Sequence, residues 1–219
     1  KKLKILKLLR KFNIPWNKET CMMAASYGNL EALKWARKEG CPWDERTFEE
    51  AITSEDIATI QYCIDNRCPF GQDAYPDAVR RDNPIQILKL LRFNGYEWDE
   101  NVCIEAAILG NLEVLRWLRY HNCPWDEEVC NEAVRYNHYD ILVYAHENGC
   151  AWTKETYACC FHDYGLDGEF DEEPTEHECS DEIIEYLRKH NCPQPRLSDW
   201  RNIVELDDSE SYSDYEDED

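Results

Sequence analysis

A short motif recurs along this chain at an almost constant interval. Its two identical copies, Cys-Pro-Trp-Asp-Glu, begin at Cys41 and Cys123. Variants keep an aromatic residue at the same place, which falls at positions 16, 43, 70, 98, 125 and 152. The spacings are therefore 27, 27, 28, 27 and 27 residues. A fixed period of about 20–50 residues is typical of stacked repeat arrays, in which each unit packs on its neighbours.

Each repeat contains two stretches with a helical hydrophobic pattern. The first keeps apolar or small residues at positions one, four and five, as in residues 103–107 and 130–134. The second keeps apolar residues at positions one, four and six, as in residues 30–35 and 112–117. Spacings of three and four residues indicate a helix with one buried face. We predict an all-α solenoid of stacked helix pairs, preceded by a half unit over residues 1–16.

The turn between the two helices has its own signature. Gly28 and Gly110 occupy one position of it, and Asn83 and Asn137 are placed there in two other units. Gly and Asn adopt positive φ most readily, so a tight helix-ending turn is predicted. Glu55 stands at this position in one unit, where we expect strain or a local difference.

The recurring tryptophans are predicted to be structural. Trp43, Trp98, Trp125 and Trp152 each follow the end of a second helix. At the two Cys-Pro-Trp copies the residue before proline is pushed out of helical conformation, which marks the stop. We expect each ring to fold back over helix ends and close the core between units.

The strong acidity of the chain is confined to two segments. The net charge is -22, but residues 163–182 hold ten Asp or Glu and residues 205–219 hold nine, with no Lys or Arg in either. The rest of the chain holds 27 acidic and 24 basic residues. Net acidity repels phosphates, so direct binding to nucleic acid is not expected. No apolar run approaches the roughly 18 residues of a membrane span, so no membrane contact is expected either.

The repeat is interrupted once. After Phe161 the pattern resumes at Ile183, which makes residues 163–178 an insertion between the two helices of the last unit. We assign residues 1–195 to the repeat array. Residues 196–219 form a C-terminal segment whose acidic tail is too poor in apolar residues to fold alone. Because the chain begins with Lys1 rather than Met, we expect it to be a processed or excised piece.

The twelve cysteines follow the repeat. Five share one repeat position and three share another: Cys41, Cys68, Cys123, Cys150 and Cys192, then Cys21, Cys103 and Cys130. Equivalent positions in neighbouring units lie ~10 Å apart, whereas a disulfide needs Cα atoms within about 7 Å. We expect small buried thiols in a reducing compartment, which indicates a cytoplasmic or nuclear protein.

No motif for catalysis or for a cofactor is present. The best metal candidates are Cys159, Cys160, His162, His177 and Cys179, which flank or lie in the insertion. Such residues bind zinc, but Cys160 also matches a small core position of its helix. The insertion lacks the spaced Asp ligands of a calcium loop. We therefore expect no metal, no cofactor and no enzymatic activity.

One stretch carries a family resemblance. Residues 110–118 read Gly-Asn-Leu-Glu-Val-Leu-Arg-Trp-Leu and follow Ala106-Ala107. This resembles the ankyrin repeat, whose usual core reads Ala-Ala-x-x-Gly-His-Leu-Glu-Val-Val-x-Leu-Leu. The match covers residues 3–193, with a period of 27 instead of the usual ~33 and without the Thr-Pro-Leu-His start. Short units of this type are similar to those abundant in giant DNA viruses of amoebae and in some oomycetes and brown algae.

The resemblance implies an α-solenoid that binds proteins and has no chemistry of its own. Cys-Pro-Trp-Asp loops replace the β-hairpins. In such arrays the inner face includes the two residues before the turn glycine. The candidate partner-binding residues at that place are Arg80, Arg81, Ile108, Leu109, Arg135 and Tyr136. An apolar pair beside Arg and Tyr is typical of interface hot spots.

Three functions fit this sequence. The first is a protein-interaction scaffold that grips a partner, which could carry a basic surface, on the inner face. The second is a structural component of a larger assembly such as a virus particle, for which the basic first helix and the acidic end suit head-to-tail contacts. The third is a substrate-binding adaptor for a ubiquitin ligase.

Overall fold

The computed structural model describes residues 2–12, 14–71, 74–161 and 179–196. In these ranges the chain forms thirteen α-helices, one 3-10 turn and no strand. The second helices of the repeats are α1 (Lys2–Lys11), α3 (Leu30–Lys38), α5 (Ile57–Asp65), α7 (Pro84–Phe93), α9 (Leu112–Tyr120), α11 (Tyr139–Glu147) and α13 (Asp181–Lys189). The first helices are α2 (Lys18–Ser26), α4 (Glu45–Thr53), α6 (Ala74–Val79), α8 (Asn101–Ile108), α10 (Glu128–Arg135) and α12 (Lys154–Ala158), which the turn Cys159–Phe161 continues. The predicted all-α repeat fold is confirmed.

The chain divides into two compact units, and the repeat pattern of the sequence does not predict this division. Unit 1 is Lys1–Trp98 and unit 2 is Asp99–Asp219. In unit 1, α2 packs on α4 and α4 on α6, while α3 packs against α1 and α5. In unit 2, α10 lies between α8 and α12, and α11 contacts α9 and α13. Each unit is thus a row of first helices backed by a row of second helices.

The core of each unit repeats with the sequence. Ala51, Ala78, Ala106 and Ala133 are buried at the fourth position of their first helices, where a small side chain lets adjacent helices approach closely. The second helices bury branched residues on one face, such as Leu115 in α9. The predicted spacing of apolar residues therefore sets which face of each helix lies inside.

The turns between first and second helices agree with the prediction at four of five positions. Gly28, Gly110, Asn137 and Glu55 all have φ between 56° and 65°. Glu55 adopts this left-handed conformation, and its carboxylate accepts hydrogen bonds from the backbone N–H groups of Asp82 and Asn83, both at 3.2 Å.

The placement of Asn83 at the glycine position is wrong. Asn83 has φ -119° and is the residue before α7, the place that Asn29 takes before α3. The extra residue of the 28-residue spacing lies in α7, which has ten residues where α3 has nine. Asp82 therefore occupies the turn position in that repeat.

None of the helices in the described ranges has the length and apolar character that crossing a membrane requires.

Candidate partner-binding surface

The recurring tryptophans are held by arginines that the sequence interpretation passed over. The Cζ atom of Arg37 lies 4.0 Å from the ring centroid of Trp43, and that of Arg119 lies 3.9 Å from Trp125. Each guanidinium also donates to the carbonyl that follows its helix, at Cys41 and Cys123. The arginine therefore satisfies a free helix-end carbonyl and stacks on the aromatic ring at once.

The sequence contains a signal for this Arg–Trp contact, because the arginine stands six residues before the tryptophan. Arg10 and Arg92 stand at the same distance before Trp16 and Trp98 and lie 4.5 and 4.6 Å from their rings. In the last copy His146 takes the place of arginine and stacks on Trp152, with ring centroids 3.7 Å apart.

The same tryptophans bridge consecutive second helices. Trp43 meets Tyr62 of α5 and Trp125 meets Tyr144 of α11, each edge to face with centroids 6.2 Å apart. All four predicted structural tryptophans are half-buried. Their rings cover helix ends and still form part of the outer surface.

The cysteines of the loops have a hydrogen-bonding role that spacing alone does not reveal. The thiols of Cys41, Cys68, Cys123 and Cys150 each donate to the carbonyl of the residue 24 positions earlier, at 2.9–3.4 Å. The thiol of Cys192 donates to Thr153 O at 3.5 Å across the insertion. Each of these five loops is thus tied to the loop of the preceding repeat.

The described cysteines are all free thiols. The distance argument against disulfides applies to cysteines that share one repeat position, such as Cys41 and Cys68. It does not apply to a cysteine of a first helix and a cysteine of a loop. Cys103 lies in hydrogen-bond contact with Cys123, and Cys130 with Cys150. That contact and burial together raise the pKa of Cys123 and of Cys130. Neutral thiols at these places do not act as nucleophiles.

No group of three metal-ligating side chains occurs among the residues with described positions. The candidates His162 and His177, and the insertion at residues 163–178, lie outside the described residues. Cys160 is buried, which is the core position that its helix predicted. Cys159 is half-buried and lies 3.8 Å from Nη2 of Arg135.

The predicted partner-binding residues fall at the C-terminal ends of first helices. Arg80 and Arg81 follow α6 in unit 1. Arg80 forms an ion pair with Asp77 at 3.2 Å, and Nε of Arg81 donates to Asp77 O at 3.0 Å. Both arginines therefore contact Asp77, which lies about one helical turn earlier in the chain.

The other four candidates lie in unit 2, on the adjacent helices α8 and α10. Leu109 is 45% exposed and Tyr136 is 50% exposed, whereas Ile108 and Arg135 are half-buried. His138, which the sequence interpretation did not single out, joins the two turns. Its Nε2 lies 3.0 Å from Ile108 O, and since a carbonyl only accepts, Nε2 carries the proton.

The turn surface of unit 2 is closely packed around His138. Tyr136 stacks on the His138 ring at 6.5 Å between centroids and 15° between planes. On the other side the ring sits against Gly110, where an added Cβ would come within 2.6 Å of it. We call Ile108, Leu109, Gly110, Tyr136 and His138 the turn platform.

Two carboxylates lie one turn before the turn platform, on α8 and α10. Glu105 and Glu132 are buried on α8 and α10, and Arg135 pairs with Glu132 at 3.6 Å. Burial raises the pKa of Glu128 on the same helix, against the hydrogen bond from Asn131 that lowers it. Arg135 is thus partly neutralised by its own helix, and the platform offers apolar and aromatic contact beside carboxylates.

Comparison with known proteins identifies no family. No family model and no curated protein matches this chain. Among solved structures it is similar to the pentatricopeptide repeat protein PPR10 in complex with an 18-nt psaJ RNA element, at 12% identity and a TM-score of 0.36. A variant of that protein with cysteines changed to serine, in complex with the same RNA, gives the same values. The match covers 96% of this chain and 41% of the other, so the chain spans about two fifths of that protein's length.

The exclusion of nucleic acid as a direct partner is wrong. The neighbouring structures are helical repeat proteins in complex with RNA. The exclusion rested on the net charge of the whole chain, but a ligand meets one surface. Helix α1 has basic residues and no acidic one, even though the chain carries a charge of -22. The chain is a helical-repeat scaffold, and charge does not decide the class of its partner.

Proposed function

We propose that this chain is a non-enzymatic scaffold of the short ankyrin type that binds a partner protein on its first-helix face. The observation that carries the proposal is the turn platform of unit 2. It presents Leu109 and Tyr136 to solvent on a framework of backbone turns fixed by His138. Large apolar and aromatic side chains held in one conformation lose little entropy on binding.

The chemistry of the surroundings suits a protein partner. Leu109 and Tyr136 supply apolar contact area, and the half-buried Arg135 supplies a polar group at the edge. An apolar centre with a polar rim is the usual anatomy of a protein interface. A folded repeat array also offers the same framework to the partner before and after binding.

The test compares two matched aromatic truncations in unit 2. Tyr136→Ala removes an anchor of the turn platform, whereas Tyr120→Ala removes a side chain that is 83% exposed at the end of a second helix. Tagged full chains are used to capture partners from source cells with RNase added, followed by quantitative mass spectrometry. We expect a protein that binds to wild type and to Tyr120→Ala. The same protein should be lost from the double variant Tyr136→Ala/Leu109→Ala.

Two outcomes would overturn this function. If the bound protein is retained equally by Tyr136→Ala, the turn platform is not the contact site. If proteins are captured in a parallel experiment without RNase and none is captured with RNase, the primary partner is RNA. Thermal unfolding of each variant checks that the loss of binding is not a loss of fold.

A further inference from the structure

Charge is segregated between the two rows of helices in unit 1. Its second helices, α1, α3, α5 and α7, hold ten Lys or Arg and two Asp or Glu. Its first helices, α2, α4 and α6, hold two basic and five acidic residues. The second helices of unit 2 differ, since α9, α11 and α13 hold four basic and six acidic residues. The net charge of -22 therefore conceals a basic row of helices in unit 1.

The lysines of α1 and α3 are exposed, and these two helices pack against each other. The exposed set is Lys4, Lys7, Lys11, Lys34 and Lys38. In the part of the chain that the structure describes, none of these lysines forms an ion pair. Lys34 and Lys38 are exposed although α2 packs on α3. The positive charge of this face is therefore a property of the repeat positions and does not depend on the open side of α1.

Aromatic rings lie between the cations. The Cζ atom of Arg10 lies 4.5 Å from the ring centroid of Trp16, and Trp16 meets Trp35 of α3 edge to face at 5.5 Å. One repeat further, Nζ of Lys34 lies 5.9 Å from the ring centroid of Tyr62 in α5. The three rings are half-buried, so each keeps part of its surface in contact with solvent. We call Arg10, Trp16, Trp35, Lys34 and Tyr62 the cation–aromatic strip.

This combination fits a flexible polyanion that carries planar groups. Proteins bind single-stranded nucleic acid with a basic surface along the phosphates and with aromatic rings or guanidinium planes on which the bases stack. Arg10 is exposed and its guanidinium is held on Trp16, so it presents a plane to solvent. An acidic peptide would use the charges alone and would leave these planes without a partner.

We propose that the cation–aromatic strip of unit 1 binds single-stranded nucleic acid. Phosphates lie over Lys34 and over Lys7, which occupies the same repeat position in α1. A base stacks on the guanidinium of Arg10. Because every base has a stacking face, the contact depends little on nucleotide sequence. The site goes beyond the proposed function, since it lies on the second helices of unit 1 and does not use the turn platform.

The salt dependence of binding tests the phosphate contacts. The full 219-residue chain is titrated against a fluorescent oligouridylate at several salt concentrations, with fluorescence anisotropy as the measurement. For single strands, the log–log slope of affinity against salt is about -0.7 per neutralised phosphate. The double variant Lys7→Gln/Lys34→Gln should therefore reduce the size of the slope by about 1.4 and weaken binding at low salt by about tenfold or more.

Unit 2 supplies a matched control for the lysines. Arg116 is exposed at the repeat position of Lys34, and its Cζ atom lies 5.3 Å from the ring centroid of Tyr144. Its neighbouring second helices lack the excess of basic residues found in unit 1. Arg116→Gln should therefore leave both the affinity and the salt slope unchanged.

The stacking contact is tested by a variant that keeps the charge. Arg10→Lys retains the cation and removes the guanidinium plane, so it should weaken binding by about fivefold or more at fixed salt without changing the salt slope. Arg119→Lys makes the same change at the equivalent position of unit 2 and should bind like wild type. Circular dichroism and thermal unfolding of each variant separate a loss of contact from a loss of fold.

Four results would overturn the proposal. The first is an absence of oligouridylate binding at low salt, and the second is an unchanged affinity in Lys7→Gln/Lys34→Gln. The third is equal or tighter binding of duplex RNA of the same length, which would show phosphate attraction without stacking. The fourth is tighter binding of polyglutamate or of phosphatidylserine vesicles than of oligouridylate. Tyr136→Ala/Leu109→Ala should bind oligouridylate like wild type, so this proposal and the proposed function can fail separately.

Discussion

At the scale of single residues, both the backbone conformation of Gly110 and its contact with a neighbouring ring disfavour a Cβ atom at this position. Its φ of +65° favours glycine, and the His138 ring occupies the space of the missing Cβ. Gly149 has a similar φ of +82° but no atom within 4 Å of an added Cβ. The two glycines therefore separate the cost of backbone conformation from the cost of crowding.

We predict that Gly110→Ala destabilises unit 2 more than Gly149→Ala does. Both should lose about 1–2 kcal/mol from the left-handed backbone. Gly110→Ala should lose about 1 kcal/mol more, because His138 is held by Ile108 O and Tyr136 and cannot move freely. Denaturant unfolding of both variants measures the difference, and equal losses would contradict the packing of His138 on the turn.

A tryptophan at a loop is the second residue-scale test. Trp125→Ala should cost about 2–3 kcal/mol, at or below the lower end for a buried Trp because the ring is half-buried. It removes contacts with Arg119 and Tyr144 at once. Tyr120→Ala serves as the control. Hydrogen exchange should show the largest loss of protection in α9 and α11, since a repeat array transmits instability to its neighbours. An unchanged unfolding curve would mean that the ring contributes no stability.

The histidine that replaces arginine makes the last repeat sensitive to pH. Burial lowers the pKa of His146, and the nearby charge of His190 lowers it further, while Glu147 opposes both. The ring also stacks on Trp152 and contacts Tyr186 through Nδ1 at 2.9 Å. A lowered folded-state pKa means that the unfolded chain binds the proton more readily. The stabilisation is therefore complete above the unfolded pKa of about 6.5 and is lost as pH falls below it.

We predict that thermal unfolding of unit 2 shifts to lower temperature between pH 7 and pH 5 and that His146→Gln reduces the shift. Calorimetry of both chains across this range is the measurement. Other groups also titrate here, so the comparison is the difference between wild type and variant. An identical pH profile for both chains would remove His146 as the cause.

At the scale of elements, the loops are connected by thiols rather than by disulfides. Thiols such as those of Cys123 and Cys150 donate to a carbonyl of the preceding loop, and their partners Cys103 and Cys130 lie alongside. Burial raises the pKa of Cys192 to about 12 and that of Cys159 to about 11. Reactivity toward electrophiles follows the thiolate fraction and access to solvent.

We therefore predict two classes of reactivity in the native chain. At pH 8 the half-buried Cys159 and Cys179 should react with a thiol reagent before the ten buried cysteines. In denaturant without reductant all twelve should react, because no disulfide holds them. Recovery of ten or fewer thiols in denaturant would show that one or more pairs such as Cys103 and Cys123 oxidise to disulfides.

At the scale of the whole molecule, the charge of the chain and the charge of its helices differ. The acidic residues 205–219 lie outside the described residues, so their effect is a matter for experiment. We predict that deleting residues 205–219 changes the affinity for the captured partner protein at low salt and leaves it unchanged at high salt, because exposed charges are screened within about 10 Å at 0.1 M. Higher affinity after deletion would show that the tail shields a basic face, and an identical affinity at low salt would contradict the prediction.

The repeat, its helix pairs and the buried face of each helix follow from the amino-acid pattern alone. A period of 27 and apolar residues at helical spacing dictate those features locally, and the helices from α2 to α11 follow them. The left-handed turn at Glu55 was also predictable, because it occupies a position that Gly28 and Gly110 share.

The contacts that join neighbouring repeats depend on the folded chain. The Arg37–Trp43 stack, the thiol of Cys41 on Asn17 O and the His138 contact with Ile108 O each link residues whose pairing depends on loop conformation. The division after Trp98 has the same origin, since no residue in the pattern marks it. Periodicity reports which face of a helix is buried, but it does not report which side chain from the next loop covers its end.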